Sequence, residues 1–528
     1  MSTRFQVPGR PLNLCDVFLD RNIREGRADK IAIIVDDIDA GVSRHTYRQV
    51  AALAARYGHA LRARGLGLED RVFIILEDSI DWVGAFFGAL KVGCTVMFLN
   101  PRISADEVAF YIEDSRCRGM ITTQAIASRL PESLDHLKAV IAVDDPSVQS
   151  ELVRHPSHLE NAPTLEEDFA IWLYSSGSTG APKAAVHRAY DFIYNVERYP
   201  KHVLKMTEDD VTVSVPKLFF GYATGSNLLF PFYFGATAVL FSDKPTPDRL
   251  FELVHRHEAT MLINVPTMIA QMAQLWEAGL AFGQGLGRLR LLTSAGEALP
   301  PELYRRWMAG PGIEILDGIG SAEMFHVFIS ARMGEVKPGS LGRVVDGYEV
   351  RIVNPDGQPV TTGEIGTLHV KGDSCAAFYW QRHEKSRNTL QGHWCITSDQ
   401  FRQDADGHFY FCGRADDMMK IGGRWVSPQE IEDVLTQHSA VAEAGAASFE
   451  QTGLVKPMAF VRLRPEYHPS PELGEALSQH VADHLAPFKA PRFVEFVSTL
   501  PRGDRDKLDR ARLRIMAGEA AARVQEAP

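Results

Sequence analysis

The 528-residue sequence predicts an α/β protein: a large N-terminal body of helix-covered, mostly parallel sheets with a β-rich subdomain, and a small α+β C-terminal domain. Length is the first observation, because a single hydrophobic core rarely serves more than about 300 residues. The second is the alternation of short β-branched runs with helical periodicity in the first third of the chain. The third is a change near Gly339 to short β segments separated by turns.

Strands and helices are predicted to alternate along the first third. Apolar residues at helical spacing predict a helix from Thr46 to Arg64, ended by Gly65, while Ser104 and Glu107 form a capping box that opens another helix. The other predicted elements are strands at Ile31–Val35, Val72–Leu76, Thr95–Leu99 and Met120–Thr123, and a helix at Trp82–Leu90. Alternation at this spacing favours parallel strand pairing.

The last part of the chain has its own pattern. A charged stretch, Gly413 to Asp417, precedes it, so we place the domain boundary between residues 415 and 416. Ser427-Pro428-Gln429-Glu430 combines an N-cap, a proline at the first helical position and a capping-box glutamate. The elements that follow are strands at Ala442–Ala447 and Met458–Leu463, a helix around Glu475–Leu485, and a strand at Phe493–Val497. Residues 416–528 are therefore predicted to form a small α+β domain.

Composition excludes several classes of protein. Apolar residues make up 45% and charged residues 23%, as in soluble globular proteins. The formal charge is −11, with 67 acidic and 56 basic residues, so non-specific nucleic-acid binding is not expected. The six cysteines form no CxxC pair, which argues against a zinc site and suits a reducing compartment. No secretory signal is visible in the sequence, and we expect a cytoplasmic protein.

One segment is long and apolar enough to raise the question of a membrane span. Leu218–Ser242 contains no charged residue. It also contains three glycines, an asparagine and a proline, which suit a lone spanning helix poorly. We expect a buried strand-turn-strand region that lines a cavity, and no membrane partner.

A run of small and hydroxyl residues predicts phosphate binding. The segment Tyr174-Ser175-Ser176-Gly177-Ser178-Thr179-Gly180-Ala181-Pro182-Lys183 offers backbone amides, hydroxyl donors and one lysine. It is not a Walker A loop, because no glycine directly precedes Lys183 and no Ser or Thr follows it. A flexible Ser/Gly linker is the alternative, and the strand-like run Ala170–Tyr174 before it argues against a linker.

This segment resembles the phosphate loop of the adenylate-forming superfamily, which contains acyl- and aryl-CoA ligases, adenylation domains and luciferases. Further stretches match the superfamily's motifs in order, from about residue 25 to 515: Ser294–Leu299 (adenine turn), Gly320–Glu323, Thr397–Asp399, Gly413–Asp417 (hinge), and Leu500-Pro501 with Lys507 and Arg510. The resemblance implies ATP, Mg²⁺ and coenzyme A as ligands. It also implies two half-reactions, adenylation of a carboxylate and transfer to a thiol, between which the C-terminal domain rotates.

The resemblance assigns roles to individual residues. Catalysis falls to Lys507, Thr179 and Glu323, with Glu323 as the Mg²⁺ ligand. The implied nucleotide-binding residues are Ser175, Ser176, Gly177, Ser178, Thr179, Gly180, Lys183, Ala295, Gly296, Glu297, Ala298, Asp317, Gly318, Ile319, Asp399 and Arg414. Asp416 is implied as the hinge, and Lys420, Gly422 and Gly423 as residues facing the CoA site.

The sequence departs from the superfamily's pattern at several positions. Ile319 and Ala322 stand where an aromatic residue and a threonine are usual, Ser398 replaces a glycine, and Asp506 replaces the glycine before Lys507. We expect catalysis to survive these changes, because the charged residues of the motifs are present.

The segment after Lys217 resembles the aryl-CoA ligase subgroup, especially benzoate-CoA ligases. It implies an aryl pocket formed by Gly221, Tyr222, Phe230, Ala295, Ile319, Gly320 and His326. Gly221 stands where benzoate enzymes typically carry a small alkyl side chain. The lost methyl group would leave room for an ortho substituent, so 2-aminobenzoate is expected ahead of benzoate.

Two other functions stay open at this level. One is a stand-alone adenylation enzyme that loads a carrier protein in place of CoA. The other is a nucleotide-binding protein without chemistry, against which the retained Thr179, Glu323, Asp399, Arg414 and Lys507 argue. A homodimer is compatible with the sequence, which does not specify oligomeric state.

Overall fold

The computed structural model describes residues 9–131, 134, 136–177, 180–279, 286–421, 424–451, 454–502 and 508–526. Its N-terminal body is built on two mixed sheets and a smaller antiparallel sheet, and a smaller α+β domain follows. This arrangement confirms the predicted fold class. Within the described residues, no helix combines the length and apolar character needed to cross a membrane.

The first sheet carries the predicted phosphate segment. Its strands lie in the order Phe378–Tyr379, Gly180–Arg188, Phe169–Gly177, Thr95–Phe98, Arg71–Ile74, Gly119–Thr122 and Ala139–Ala142. Pairing is parallel from Phe169–Gly177 to Ala139–Ala142, and antiparallel for the two strands at the other edge. The predicted strands Val72–Leu76, Thr95–Leu99 and Met120–Thr123 lie here, within two residues of their expected ends.

The second sheet carries the predicted adenine turn. Its strands lie in the order Arg343–Val344, Val327–Ser330, Ile315–Gly320, Leu291–Ser294, Met261–Asn264, Val211–Ser214, Thr237–Leu240, Ile31–Asp37 and Gly41–Thr46. The central strands are parallel, and Gly41–Thr46 and the two strands at the opposite edge pair antiparallel. Ligands of open α/β sheets bind beyond the carboxyl ends of such strands, which is where the motifs lie.

The β-rich region after Gly339 forms the third sheet. Its strands are Glu349–Val353, Gly366–Lys371, Trp394–Gln403, Leu390–Gln391 and Phe409–Arg414. In the C-terminal domain, Met419–Ile421 pairs with Arg424–Val426, and Leu454–Leu463 lies between Val441–Gln451 and Phe493–Phe496. The last strand of the body therefore ends five residues before the first strand of the small domain.

Helices cover the sheets. The α-helices are Arg21–Arg24, Tyr47–Ala63, Ile80–Lys91, Ala105–Ser115, Gln124–Ala127, Pro146–Arg154, Ala189–Val196, Gly221–Thr224, Phe230–Phe234, Pro247–Arg256, Pro266–Glu277, Pro301–Ala309, His383–Thr389, Pro428–Leu435, Pro471–His484 and Arg510–Glu526. Short π-helical turns lie at Asp16–Asp20, Tyr199–Val203 and Gly225–Leu229, and 3₁₀ turns at Ala322–Met324 and Pro487–Lys489. Ser104 and Glu107 form the predicted reciprocal capping box.

One prediction about the Leu218–Ser242 segment is wrong. Its first part is helical from Gly221 to Phe234, with a π-helical turn at Gly225–Leu229, and only Thr237–Leu240 is a strand. Pro231 lies in the first turn of the last helix, where its missing N–H is tolerated. Because most of this segment is buried, it has no polar face, and the helical period is invisible in the sequence.

A second correction concerns the helix Pro428–Leu435. Ser427 accepts the backbone N–H of Glu430, as predicted for an N-cap. The Glu430 carboxylate does not complete the box and instead bonds Lys489. A long-range ion pair thus replaces the local contact.

Candidate active site

The predicted phosphate segment is a hairpin between two antiparallel strands. Ser175 on Phe169–Gly177 pairs with Lys183 on Gly180–Arg188, so Ser176, Gly177 and Gly180 lie at the turn. Ser178 and Thr179 fall outside the described residues. The Ser175 hydroxyl is buried and has no hydrogen-bond partner among the described residues, as suits a group that meets a ligand. No helix opens at this turn, which distinguishes it from a Walker A loop.

Lys183 lies on the first sheet and Glu323 comes shortly after a strand of the second sheet, and their side chains are in contact. Lys183 Nζ lies 3.0 Å from Glu323 Oε1 and donates to the Tyr379 hydroxyl at 2.6 Å. The Tyr379 hydroxyl in turn donates to the same carboxylate oxygen of Glu323. Burial disfavours the Glu323 carboxylate, but Lys183 and the Tyr379 hydroxyl outweigh it, and the pKa of Glu323 is lowered. The site therefore holds an ionised carboxylate beside an ammonium group.

This arrangement fits the predicted Mg²⁺ ligand. A magnesium ion in a nucleotide site uses one or two carboxylates together with phosphate oxygens. Glu323 is ionised, and its hydrogen bonds to described side chains all end on Oε1. Glu323 would hold the ion, with Lys183 nearby to contact phosphate oxygens.

The predicted adenine turn follows the strand Leu291–Ser294. Gly296 adopts φ +91°, a backbone conformation that favours glycine, and Glu297 accepts a hydrogen bond from the Thr267 hydroxyl at 2.9 Å. Ala295 is buried and Ala298 lies in the same turn. The backbone of this turn therefore lies at the carboxyl end of the second sheet, beside the strand that ends at Gly320.

Asp317 is a buried carboxyl group behind this turn. It pairs in register with Ser294 of the neighbouring strand. Burial raises the pKa of Asp317 to about 7. The Ser294 hydroxyl and the backbone N–H groups of Leu299 and Gly318 lie close enough to the carboxyl group to offset part of this rise. Asp317 is therefore a buried carboxyl group at the strand end, beside the predicted adenine turn.

Asp399 and Arg414, both implied to bind the nucleotide, lie opposite each other. They are register partners on Trp394–Gln403 and Phe409–Arg414, and Arg414 Nε lies 3.6 Å from Asp399 Oδ1. Arg414 is half-exposed and Asp399 less so. A carboxylate and a guanidinium at an accessible sheet end can bind a vicinal diol such as ribose.

The aromatic residues expected to form the acid pocket are brought together around His326. The His326 ring lies 4.6 Å from the Phe230 ring and 5.5 Å from that of Tyr222, between ring centroids. The Tyr222 hydroxyl and Thr293 Oγ1 are 2.7 Å apart, which ties this wall to the central strand Leu291–Ser294. Ile319 packs against the hydrophobic core that contains Phe230.

Two glycines at this wall are required by close packing. A Cβ built on Gly320 would lie 2.6 Å from the carbonyl carbon of His326, and one on Gly318 would lie 2.9 Å from the Ile329 carbonyl oxygen. Real side chains do not approach backbone this closely, so both positions exclude alanine. The backbone carrying Ile319 therefore lies directly against that of His326.

Gly221 does not border His326. A Cβ built there would lie 3.3 Å from Leu173 Cδ1, so Leu173 of the phosphate hairpin already bounds the space that a methyl group would fill. The sequence-based argument for ortho space at Gly221 thus gains no support from its surroundings, and any discrimination at this position involves Leu173.

The predicted hinge and CoA residues are described only in part. Asp416 lies between the strands that end at Arg414 and begin at Met419, and its carbonyl accepts a hydrogen bond from Arg514 at 3.0 Å. Lys420 lies on Met419–Ile421. Gly422, Gly423, Asp506 and Lys507 fall outside the described residues, so their roles remain predictions.

Arg510, part of the C-terminal lysine motif, has a structural contact. Its guanidinium donates to both carboxylate oxygens of Glu432, at 2.7 and 2.8 Å. This bidentate pair fixes the start of Arg510–Glu526 to the helix Pro428–Leu435.

Sequence reasoning missed Tyr379 and Thr293. Tyr379 lies in a two-residue strand that pairs with Ala185, almost 200 residues earlier, and no local pattern marks such a position. Thr293 lies one residue before the adenine turn, and its side chain meets Tyr222 from a distant segment. Both roles arise from long-range pairing.

Comparison with known proteins shows the family to which the chain belongs. The sequence profile described as AMP-binding enzyme matches residues 19–380, and the AMP-binding enzyme C-terminal domain matches residues 430–507. The chain is 39% identical over 519 residues to benzoate–CoA ligase of Thauera aromatica, covering 96% of this chain and 97% of that protein.

Two solved structures are also similar along almost their whole length. The anthranilate CoA ligase AuaEII, in complex with anthranoyl-AMP, has a TM-score of 0.88 and 36% identity over 98% of this chain and 99% of its own. A benzoate CoA ligase from Burkholderia xenovorans LB400 has a TM-score of 0.85 and 36% identity over 95% of this chain and 100% of its own. The chain therefore belongs to the AMP-binding, adenylate-forming enzyme family, in its aryl-CoA ligase subgroup, and is an AMP-forming acid–thiol ligase.

Proposed function

We propose that this aryl-CoA ligase activates 2-aminobenzoate. The reaction joins the acid to AMP with release of pyrophosphate, and then transfers the aryl group to the thiol of CoA. The observation that carries the choice of acid is a buried, neutral histidine, His326, one of whose ring nitrogens has no hydrogen-bond partner among the residues that the structure describes.

The protonation state of His326 follows from its contacts. Burial lowers the pKa of His326 to about 4, so the ring is neutral near pH 7. Nε2 lies 3.0 Å from the Tyr222 carbonyl oxygen and 3.0 Å from Ser226 Oγ. A carbonyl only accepts, so Nε2 carries the proton and Nδ1 carries the lone pair.

His326 Nδ1 is therefore a hydrogen-bond acceptor. It is buried, and no donor among the described residues reaches it. An unsatisfied buried acceptor costs about 1–3 kcal/mol. The amino group of 2-aminobenzoate is an N–H donor that would satisfy it, whereas benzoate offers none on its ring.

The charged residues support the adenylation half-reaction. The carboxylate substrate is ionised near neutral pH and needs no general base to attack the α-phosphorus of ATP. Lys183 and the Ser175 hydroxyl would bind phosphate oxygens, and Asp399 with Arg414 would bind the ribose. Mg²⁺, held by Glu323, would neutralise charge on the phosphates.

The second half-reaction rests on the C-terminal motifs. Lys507 is proposed to bridge the carboxylate and the α-phosphate during adenylation. Rotation about Asp416 would then exchange Lys507 for the segment of Lys420, Gly422 and Gly423, which would face the pantetheine arm of CoA.

Benzoate is the second candidate acid, because the Thauera aromatica relative at 39% identity is named for it. A carrier protein is the alternative acceptor. The proposed choice of acid and acceptor can be tested together.

The test is ATP–pyrophosphate exchange with benzoate, 2-aminobenzoate, 2-methylbenzoate and 4-aminobenzoate, followed by addition of CoA. The methyl and amino groups are similar in size. The comparison of 2-aminobenzoate with 2-methylbenzoate therefore shows whether the enzyme requires a hydrogen-bond donor at the ortho position or only room for a substituent there. We expect kcat/KM for 2-aminobenzoate to exceed that for 2-methylbenzoate by about ten-fold, the worth of one hydrogen bond. A panel in which benzoate exceeds both ortho acids would refute the proposed substrate. Thioester formation only with a phosphopantetheinylated carrier protein would refute CoA as the acceptor.

A further inference from the structure

Tyr379 joins the two charged residues of the nucleotide site. Its hydroxyl accepts from Lys183 Nζ at 2.6 Å and donates to Glu323 Oε1. The Lys183 ammonium also lies 4.0 Å from the centroid of the Tyr379 ring. The side chain is almost completely buried, with 2% of its surface exposed. A phenol in this position contacts both partners through one oxygen.

We propose that Tyr379 is a positioning residue: its hydroxyl holds Glu323 through Oε1, so that the carboxylate keeps its orientation toward the metal ion when Lys183 turns to the phosphates. The inference concerns the adenylation site itself and does not depend on which aryl acid is the substrate.

The backbone around Tyr379 supports this role. The Ala376 N–H donates to the Glu323 carbonyl at 2.7 Å, so the same short segment holds the main chain and the side chain of Glu323. The Ala377 N–H bonds the Val186 carbonyl, and the Trp380 N–H bonds the Ala184 carbonyl, on either side of Tyr379. Tyr379 is thus fixed to the strand of Lys183 and reaches the turn of Glu323.

Lys183 and Glu323 already form a direct pair at 3.0 Å, and the Tyr379 hydroxyl is the other described side chain that bonds both. Without the hydroxyl, the carboxylate would lose its support whenever Lys183 turns to the phosphates. Removing a group that orients a metal ligand typically weakens metal binding or activity by about 10–100-fold.

Tyr379→Phe removes one oxygen and keeps the ring. We expect the dissociation constant for Mn²⁺, measured by electron paramagnetic resonance with a saturating non-hydrolysable ATP analogue, to rise by about ten-fold or more. The Mg²⁺ concentration for half-maximal pyrophosphate exchange should rise in parallel, while KM for the aryl acid is unchanged. Tyr57→Phe is the matched control, because it removes a buried hydroxyl that donates to Asp81 at 2.7 Å, outside the proposed site.

A double-mutant cycle distinguishes positioning from general destabilisation. In a Glu323→Gln background, Tyr379→Phe should have little further effect on the Mn²⁺ affinity, since the two changes remove one interaction. Unchanged Mn²⁺ affinity in the single variant, or full additivity in the double variant, would overturn the proposal.

Should Tyr379→Phe fail to fold, Lys183→Met supplies a second test. That variant keeps the tyrosine–glutamate bond, so ATP affinity should fall while Mn²⁺ affinity at saturating nucleotide analogue is retained. A loss of Mn²⁺ affinity by about ten-fold or more, the size expected when a metal ligand loses its support, would contradict the role of Tyr379.

Discussion

Glu323 and His326 lie on opposite sides of a γ-turn centred on Phe325. The His326 N–H donates to the Met324 carbonyl at 2.8 Å, and Phe325 adopts φ +65° and ψ −54°. This turn is rare and strained for a residue with a side chain, and such strain persists where the surroundings enforce it. The buried Phe325 ring packs edge-on against Phe192, with 4.4 Å between centroids. Only two residues, Met324 and Phe325, thus separate the proposed metal ligand from the proposed acid-binding histidine.

Replacing His326 should change the choice of acid. Leucine is apolar and similar in size to histidine, so His326→Leu keeps the volume of the side chain and removes the Nδ1 acceptor. We expect the ratio of kcat/KM for 2-aminobenzoate over benzoate to fall by about ten-fold, because one hydrogen bond to the substrate is lost. Steady-state kinetics with both acids measure this ratio. If both acids lose the same factor, His326 is only a packing residue.

The pH dependence of stability should also depend on His326. Its folded-state pKa of about 4 is below the ordinary value near 6.5. Between these values the unfolded chain binds a proton that the folded protein does not, so the free energy of unfolding should fall as pH drops from about 6.5 to about 4. The slope due to this residue approaches 1.4 kcal/mol per pH unit.

The measurement is chemical denaturation of the wild type and His326→Leu at matched pH values. The difference between the two proteins isolates the histidine from other groups, such as Asp317, whose pKa is raised. We expect the variant to lose less stability on acidification. If the free energy of unfolding falls by the same amount with pH in both proteins, His326 is not a buried, neutral histidine.

Gly225 should be intolerant of a methyl group. A Cβ there would lie 2.4 Å from Cδ2 of the His326 ring, so Gly225→Ala must displace that ring or the helix. Over-packing of this kind costs about 1–3 kcal/mol. We expect a lower thermal midpoint and a higher KM for the aryl acid.

The matched control is Gly518→Ala in the C-terminal helix, where a Cβ meets no heavy atom within 4 Å. That change should leave KM unaltered and raise stability by about 0.5–1 kcal/mol, as expected for glycine replaced within a helix. Equal effects of the two variants on KM would argue against close packing between Gly225 and His326.

Features that depend on residues close together in the sequence, or on the order of the family motifs, could be predicted from the sequence. The capping box of Ser104 and Glu107 follows from a short motif and is confirmed. The order of the family motifs likewise singled out Ser175 with Lys183 and Asp399 with Arg414, which the fold places opposite each other on paired strands. These features depend on residues that are close in sequence or on a shared family pattern.

Features that depend on contacts between distant parts of the chain could not be predicted from the sequence. The helices within Leu218–Ser242 have no polar face to mark their period, because they are buried in the body. Tyr379 acquires its place through a strand partner on the phosphate hairpin. At Gly221 the missing methyl group suggested space, yet the neighbour is Leu173, which only the fold brings there.

Lys507 should separate the two half-reactions. It lies outside the described residues, and its assignment rests on the C-terminal lysine motif. A lysine that bridges the carboxylate and the α-phosphate stabilises charge only during adenylation, and removing one such donor typically costs about 100–1,000-fold. We therefore expect Lys507→Ala to lose pyrophosphate exchange by that factor.

The same variant should still form the thioester when given the aryl adenylate and CoA, because on the proposed mechanism this half-reaction would use the other orientation of the C-terminal domain. Lys456→Ala, a change on the strand Leu454–Leu463 of the same domain, is the control and should leave both half-reactions intact. Single-turnover assays of each half-reaction separate the steps. Equal loss of both in Lys507→Ala would mean that the lysine supports the domain as a whole, and that its proposed bridging role is wrong.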